Sequence, residues 1–403
     1  MVEAEAQLES RRGDTNEQNH AWEIVAMTYP KPTVRTVTGN GTFVLGRGST
    51  ANIRLHDASV SRHHARLTFG GPSVEVEDLE SANGTRLVTV GEEAGHTTMH
   101  DTVLVPNRPL AVPENATLHL GSVVVLVRRA FRPQEGGTAG IVVQSPAMQE
   151  VVSLVERIAS SALHVVLIGP PGVGRDTLAR LLHERSSRFR GPFVASRVAG
   201  RMPAVMEREL LGVERDELRG AMPPKAGLLE AAHGGTLLID SAFELAAAQQ
   251  SELLRALSGR TVTRVGARRP TPIDVRLVIG MEHEDSFTRS ICQLGGVTLA
   301  VPALRERPED IGPLAEAFVA RASHALSRPP PPISPEAHRA LRAAHFPHNA
   351  RELAEIMTRA VPLAGSGSIL SEHLLMTTDG GEGDVADESE VTQMRSVPKE
   401  LLP

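Results

Sequence analysis

The chain has 403 residues, a formal net charge of −6 and only 3% aromatic residues. This length predicts about two or three modules, and the acidic balance with few aromatics argues against a nucleic-acid-binding surface. A single cysteine, Cys292, excludes a disulfide framework and favours a reducing compartment. No apolar run is long enough to cross a bilayer, and the polar N-terminus does not have the pattern of a signal peptide. Together with the single cysteine, these features predict a cytoplasmic protein without membrane contact.

The first part of the chain has the pattern of a β domain preceded by a leader. Residues 1–21 are polar and are expected to be disordered. From residue 22 to 129, short apolar runs such as NIRLHD and SVEVEDL alternate with Gly, Pro and Asn turns, which is typical of an all-β sandwich. Residues 130–140 are rich in glycine and are expected to form a linker.

Three short motifs, GR at 46–47, SRHHA at 61–65 and NGT at 83–85, accompany the predicted strands. At this spacing they resemble the forkhead-associated (FHA) domain, a sandwich whose loops bind phosphothreonine peptides. A guanidinium fork with hydroxyl donors suits a dianionic phosphate. The resemblance implies that Arg47 and Ser61 bind the phosphate, that Arg62 adds a donor and that Asn83 holds the peptide backbone. It also implies that His64 braces the loops, whereas Ala82 replaces a threonine that often contacts phosphate.

After residue 140 the pattern changes to alternating helices and buried strands. A helix, the strand HVVLIG, a glycine-rich loop and a second helix are followed by the buried strands GGTLLID and IDVRLVIG. This alternation over residues 141–303 predicts a parallel sheet covered on both faces. Residues 304–376 are predicted to be helical, and the acidic residues 377–403 are predicted to be a disordered tail.

Four stretches in this second half resemble the AAA+ ATPase domain of sigma-54-dependent transcriptional activators: GPPGVGRDT, GGTLLID, VPALRERPEDI and FPHNARELAEI. The expected fold is therefore multidomain, with an N-terminal FHA sandwich, an α/β AAA+ P-loop domain and a C-terminal helical lid. Asp240 could hold Mg²⁺ beside bound ATP or ADP. The resemblance implies a degenerate nucleotide site formed by Gly169, Gly172, Gly174, Arg175, Asp176, Asp240 and Arg351.

Several catalytic positions of that family carry other residues here. Arg175 replaces the phosphate-loop lysine, Ser241 replaces the glutamate that polarises water, and the second arginine finger falls on Gln293. Only three of the 42 basic residues are lysines, so a coding bias explains Arg175 but not the other two changes. Losing a general base costs about 10²–10⁴ in rate, and losing an arginine finger about 10³–10⁵. No catalytic residue is assigned, and ATP hydrolysis is expected to be negligible.

The output elements of the family also differ. Its GAFTGA loop, which grips sigma-54, aligns with residues 216–221, DELRGA, so sigma-54 contact is not expected. A C-terminal helix-turn-helix is absent from the pattern, so no direct DNA binding is expected.

Three functions stay open at this point. The favoured one is a signalling scaffold whose FHA domain binds a threonine-phosphorylated protein of a Ser/Thr kinase pathway and whose AAA+ domain provides an assembly platform, with homo-oligomers as one outcome. The second is a nucleotide-binding switch that does not turn over. The alternative is an active, FHA-controlled ATPase that activates sigma-54 RNA polymerase.

Overall fold

The structure is a computed structural model that describes residues 21–28, 32–70, 72–93, 96–130, 141–214, 224–365 and 367–375. The predicted leader and linker lie outside the described residues except for Ala21 and Ala130, and so do loop 216–221 and the acidic tail. Across the described ranges, no helix is long and apolar enough to cross a membrane.

The first domain is a sandwich of two β-sheets around one core. One sheet has six strands in the order β2-β1-β11-β10-β7-β8, and the other has five in the order β4-β3-β5-β6-β9. The strands are β1 (Trp22–Met27), β2 (Thr33–Val37), β3 (Gly41–Gly46), β4 (Ile53–Arg54), β5 (Ala65–Gly70), β6 (Ser73–Asp78), β7 (Thr85–Glu93), β8 (His96–Val103), β9 (Leu110–Ala111), β10 (Ala116–Leu120) and β11 (Val123–Arg129).

Strand β5 illustrates why these residues form a sandwich. Its sequence ARLTFG buries Ala65, Leu67 and Phe69 and turns Arg66 and Thr68 outward, because successive side chains of a strand point to opposite faces. The buried side chains contribute to a core that lies between the two sheets. This arrangement leaves the loops at the ends of the strands free to present polar groups.

The second domain has a parallel five-stranded sheet in the order β13-β16-β19-β12-β20. Its strands are β12 (His164–Ile168), β13 (Phe193–Arg197), β16 (Thr236–Asp240), β19 (Arg276–Met281) and β20 (Gly296–Ala300). Two small hairpins pair β14 (Gly212–Val213) with β15 (Lys225–Ala226) and β17 (Thr261–Val262) with β18 (Thr271–Pro272). Because β16, β19 and β12 are neighbours, their carboxyl ends meet at one edge of the sheet.

One set of helices covers this sheet, and the helices that follow in the chain form a separate lid. The helices of the α/β part are α1 (Pro146–Ala159), α2 (Arg175–Glu184), α3 (Pro203–Leu211), α4 (Leu228–Ala231), α5 (Ala247–Gly259) and α6 (Ser286–Gln293). The lid contains α7 (Ile311–Ala325), α8 (Pro335–Ala343) and α9 (Asn349–Leu363), which pack around their own apolar core. The predicted order of sandwich, α/β domain and helical lid is confirmed.

The sandwich packs directly against the α/β domain. Val25, Val124 and Leu126, on the outer face of the six-stranded sheet, share an apolar core with α1 and the parallel sheet. At the edge of this contact Glu23 forms an ion pair with Arg157 of α1, and the Ser160 hydroxyl donates to Asn115 Oδ1 at 3.1 Å. The two domains are therefore joined by both apolar and polar contacts.

Candidate functional site

The three FHA-like motifs lie on loops that are hydrogen-bonded to one another at one end of the sandwich. The Arg47 N–H donates to the Ser61 carbonyl at 2.9 Å. The Ala82 N–H donates to Ser61 Oγ at 3.0 Å, and Asn83 Nδ2 donates to the Ser59 carbonyl at 2.7 Å. The structure thus brings Arg47, Ser61 and Asn83 together, although the first and the last lie 36 positions apart in the sequence.

His64 connects these loops from the interior of the sandwich. It is fully buried; its Nδ1 accepts from the Ser61 N–H at 3.0 Å, and its Nε2 lies 3.1 Å from the Gly84 carbonyl. An Nδ1 that accepts leaves the proton on Nε2, which then donates to Gly84. Burial lowers the pKa of His64, so the neutral ring holds the loops in place.

Positive charge is concentrated at this end of the sandwich. Arg47 and Arg62 are exposed, and neither pairs with a carboxylate within the described ranges. Exposed Arg54 on β4 lies beside them, with its Nε 3.4 Å from the Arg47 carbonyl. Arg54 belongs to none of the three motifs. The alternation of buried Ile53 and exposed Arg54 on a short strand is the sequence signal that could have indicated its position. Three exposed arginines without a carboxylate partner in the described ranges thus belong to neighbouring segments at this end of the sandwich.

The glycine-rich loop follows β12 and leads into α2, as predicted. Gly172 and Gly174 have φ angles of +78° and +103°, and no side chain caps the first turn of α2. Backbone N–H groups at such a helix N-terminus suit an anion. The loop backbone therefore still fits a phosphate, although exposed Asp176 places a negative charge in the same turn.

Arg175 has its side chain turned into the protein and held by groups of its own chain. Its side chain is only 5% exposed, and its Nε and Nη2 both lie 2.8 Å from Asp240 Oδ1. Its Nη1 donates to the Gly169 carbonyl at 2.6 Å and to the Met281 carbonyl at 3.0 Å. The guanidinium therefore joins the carboxyl ends of β12, β16 and β19 from inside the protein.

Gly280 provides the space that the larger cation needs. A Cβ built on Gly280 would lie 2.2 Å from Asp240 Oδ1 and 2.9 Å from Arg175 Nε, distances that real Cβ atoms do not show. Any side chain at this position would displace the Arg175–Asp240 pair. Gly280 therefore leaves the room that the Arg175 guanidinium occupies beside Asp240.

The surroundings of Asp240 do not fit a Mg²⁺ ion. Its Oδ1 is held by Arg175, and its Oδ2 lies 3.3 Å from Arg197 Nη2, so two guanidinium groups occupy the carboxylate. Mg²⁺ requires oxygen ligands at close to octahedral geometry, and two cations beside the Asp240 carboxylate oppose its binding there. Ser241 follows in a left-handed conformation and is buried, with a hydroxyl that is a poor base. No group of three or more His, Cys, Asp or Glu side chains suited to a metal occurs in the described part of the chain.

Side chains of the lid donate hydrogen bonds to backbone carbonyls of the phosphate loop. Asn349 Nδ2 donates to the Pro171 carbonyl at 2.9 Å, and Arg307 Nη2 donates to the Val173 carbonyl at 2.7 Å. Arg351, the predicted lid arginine, lies on the exposed face of α9, although its Cβ is close to Gly172. Gln293, at the end of α6, lies away from this site and faces the FHA domain. The structure therefore places Arg351 beside the glycine-rich loop and Gln293 away from that loop.

Comparisons with known proteins agree with this architecture. Family models match the FHA domain over residues 39–121, the sigma-54 interaction domain over 141–289 and the AAA+ ATPase lid domain over 305–390. The Sigma54-dependent transcriptional activator SfnR of Pseudomonas putida is 34% identical over 248 residues, which cover 59% of this chain and 67% of SfnR. The fold and the site define an AAA+ protein with an N-terminal FHA domain.

The chain belongs to the sigma-54 activator family. The transcriptional regulatory protein FlbD of Caulobacter vibrioides is 36% identical over 248 residues, which cover 60% of this chain and 54% of FlbD. The crystal structure of NtrX from Brucella abortus in complex with ADP matches 59% of this chain and 54% of that chain, with 30% identity and a TM-score of 0.53. The chain thus spans about half the length of these two relatives.

Proposed function

We propose that this protein is a phosphothreonine-responsive regulator of the sigma-54 activator class. Its FHA domain binds a threonine-phosphorylated protein, and its AAA+ domain serves as an interaction platform that does not hydrolyse ATP. The observation that carries the first half is the convergence of Arg47, Ser61 and Asn83 on hydrogen-bonded loops. The Arg175–Asp240 pair supports the second half.

The phosphate explains why such a site would discriminate between modified and unmodified threonine. A phosphate carries about −1.5 to −2 charges near pH 7 and offers three acceptor oxygens. Each charge-assisted hydrogen bond contributes about 1.5–3 kcal/mol. Two such bonds, from Arg47 and Arg62, would separate the two peptide forms by about a hundredfold or more.

Calorimetry with a degenerate phosphothreonine peptide library and its unphosphorylated counterpart tests this proposal on the full chain. Arg47→Ala is expected to abolish the difference between the two peptide forms. Arg35→Ala is the matched control, because Arg35 is an exposed arginine on β2, an edge strand of the other sheet. Equal affinity for both peptide forms in the unaltered protein would contradict the proposal.

A second candidate for the AAA+ domain is a switch that binds nucleotide without turnover. The conformation of Gly172 and Gly174 at the start of α2 favours it. NtrX, the relative whose structure was solved with ADP and in another crystal with ATP, supports nucleotide binding by a domain of this type. Fluorescent ATP analogue titrations distinguish the two candidates: saturable binding without phosphate release favours the switch, and the absence of binding favours the platform.

We further propose that the chain does not contact sigma-54 through residues 216–221, because the sequence DELRGA lacks the phenylalanine and threonine of the family loop. Open-complex formation on a sigma-54 promoter is the relevant assay. An ATP-dependent signal from the purified protein would contradict this and favour the active-ATPase alternative.

A further inference from the structure

A cavity of about 410 Å³ lies between the FHA domain and the α/β domain. The FHA domain contributes β7, β8 and β10, and the α/β domain contributes Arg188, the C-terminal end of α5 with Arg260, and the segments that precede β12, β19 and β20. These segments lie at the amino ends of the parallel strands. The cavity is therefore at the edge of the sheet opposite the phosphate loop, and its volume falls in the range of small-molecule sites, about 300–1,000 Å³.

One buried polar atom in the cavity wall lacks a partner. His119 on β10 is only 6% exposed, and its Nε2 makes no hydrogen bond within the described residues. Burying a polar atom without a hydrogen bond is costly, and most buried polar atoms have one. Burial, followed by the charge of Arg86, lowers the pKa of His119 to about 4, so the ring is neutral and adds no charge to the cavity wall.

The charges around the cavity leave an excess of cations. Arg86 pairs with Asp101 at 2.8 Å, and Arg188 pairs with Asp274 at 2.8 Å. Arg260 also lines the cavity, and in the described ranges it has no carboxylate partner. These two carboxylates are the acidic groups among the described lining residues, so one positive charge is left over.

A second cation lies immediately behind the wall. Arg276, at the start of β19, is 1% exposed and donates only to backbone carbonyls, those of Ile158, Ala159 and Leu163. Its charge therefore has no carboxylate partner within the described residues. Burial, together with Arg276, Arg188 and Arg260, lowers the pKa of His164 to about 4. The positive potential in this region thus acts on a second lining residue.

We propose that this cavity binds a small organic anion that carries a carboxylate or phosphate group. Arg260 supplies the charge that meets the anion, and the neutral His119 ring forms part of the wall. Because the wall is formed by both domains, the anion contacts the FHA and α/β domains at once. Its binding therefore stabilises the docked arrangement of the two domains, and it does so independently of the nucleotide and phosphopeptide sites.

Isothermal titration of the full chain with succinate and, separately, with inorganic phosphate tests this site. We expect saturable binding of one of the two, and the stronger ligand identifies the carboxylate or the phosphate as the recognised group. Arg260→Gln is expected to weaken that binding about tenfold or more, the loss of one charge-assisted hydrogen bond.

Arg47→Ala is the control, because inorganic phosphate could also bind the FHA loops. The cavity proposal requires that the affinity survive Arg47→Ala and fall in Arg260→Gln. Binding of neither anion to the unaltered protein, or an affinity that Arg260→Gln leaves unchanged, would overturn it.

Discussion

The two arginines on Asp240 should differ sharply in their contribution to stability. Arg175 is 5% exposed and Arg197 is 47% exposed, although both contact the same carboxylate. Removing one partner of a buried ion pair costs about 3–5 kcal/mol, whereas an exposed pair is worth about 0–1 kcal/mol. Because Arg197 would still pair with Asp240, we expect Arg175→Ala to cost about 3 kcal/mol, the lower end of that range.

Thermal denaturation followed by the helical circular dichroism signal measures this difference. In a domain of about 150–250 residues, 1 kcal/mol corresponds to about 2–4 °C, so Arg175→Ala should lower the melting temperature by roughly 6–12 °C. Arg197→Ala should lower it by less than about 4 °C. The fluorescence of Trp22, a residue of the sandwich, serves as a reference for the FHA domain. Equal costs for the two substitutions would refute the assignment of Arg175 as the buried partner.

Two further predictions concern stability. Gly280→Ala should destabilise the α/β domain by about 1–3 kcal/mol through overpacking, and denaturation should show a smaller cost in an Arg175→Ala background; equal costs would contradict the steric argument. His119 and His164 have folded pKa values of about 4, below the ordinary value of 6.5, so only the unfolded chain gains their protons between those values. Their stabilisation is thus complete above pH 6.5 and is lost as the pH falls to 4, up to about 3 kcal/mol each. A pH series of unfolding free energies should therefore fall less steeply for His119→Phe than for the unaltered protein; parallel curves would argue against a neutral, buried His119.

The fold followed from the sequence because its local signals agree with one another. Alternation in β5, the apolar run of β12 and the glycine-rich loop before α2 each specify one type of element. The FHA motifs also identified Arg47, Ser61 and Asn83, which the structure brings together. Short motifs at fixed spacing could identify these site residues because each loop needs particular residue types for its turn.

The partners of Arg175 could not be predicted from the sequence. Asp240 and Met281 lie 65 and 106 residues further along the chain, and they meet Arg175 only because β16, β19 and β12 are neighbours in the sheet. The interdomain cavity was missed for the same reason, since His119 and Arg260 belong to different domains. Neither residue belongs to a motif. Contacts of this kind depend on tertiary packing, which periodicity and spacing do not specify.

The proposal that the AAA+ domain does not hydrolyse ATP is tested most directly by a phosphate-release assay. The assay uses the full chain with saturating ATP, with and without Mg²⁺. The buried Arg175–Asp240 pair and Ser241 predict no release above background in either condition. Arg175→Lys should not restore turnover, because the residue that would activate water is still missing. Mg²⁺-dependent release at about 1 s⁻¹ or faster, an ordinary enzyme rate, would contradict the account.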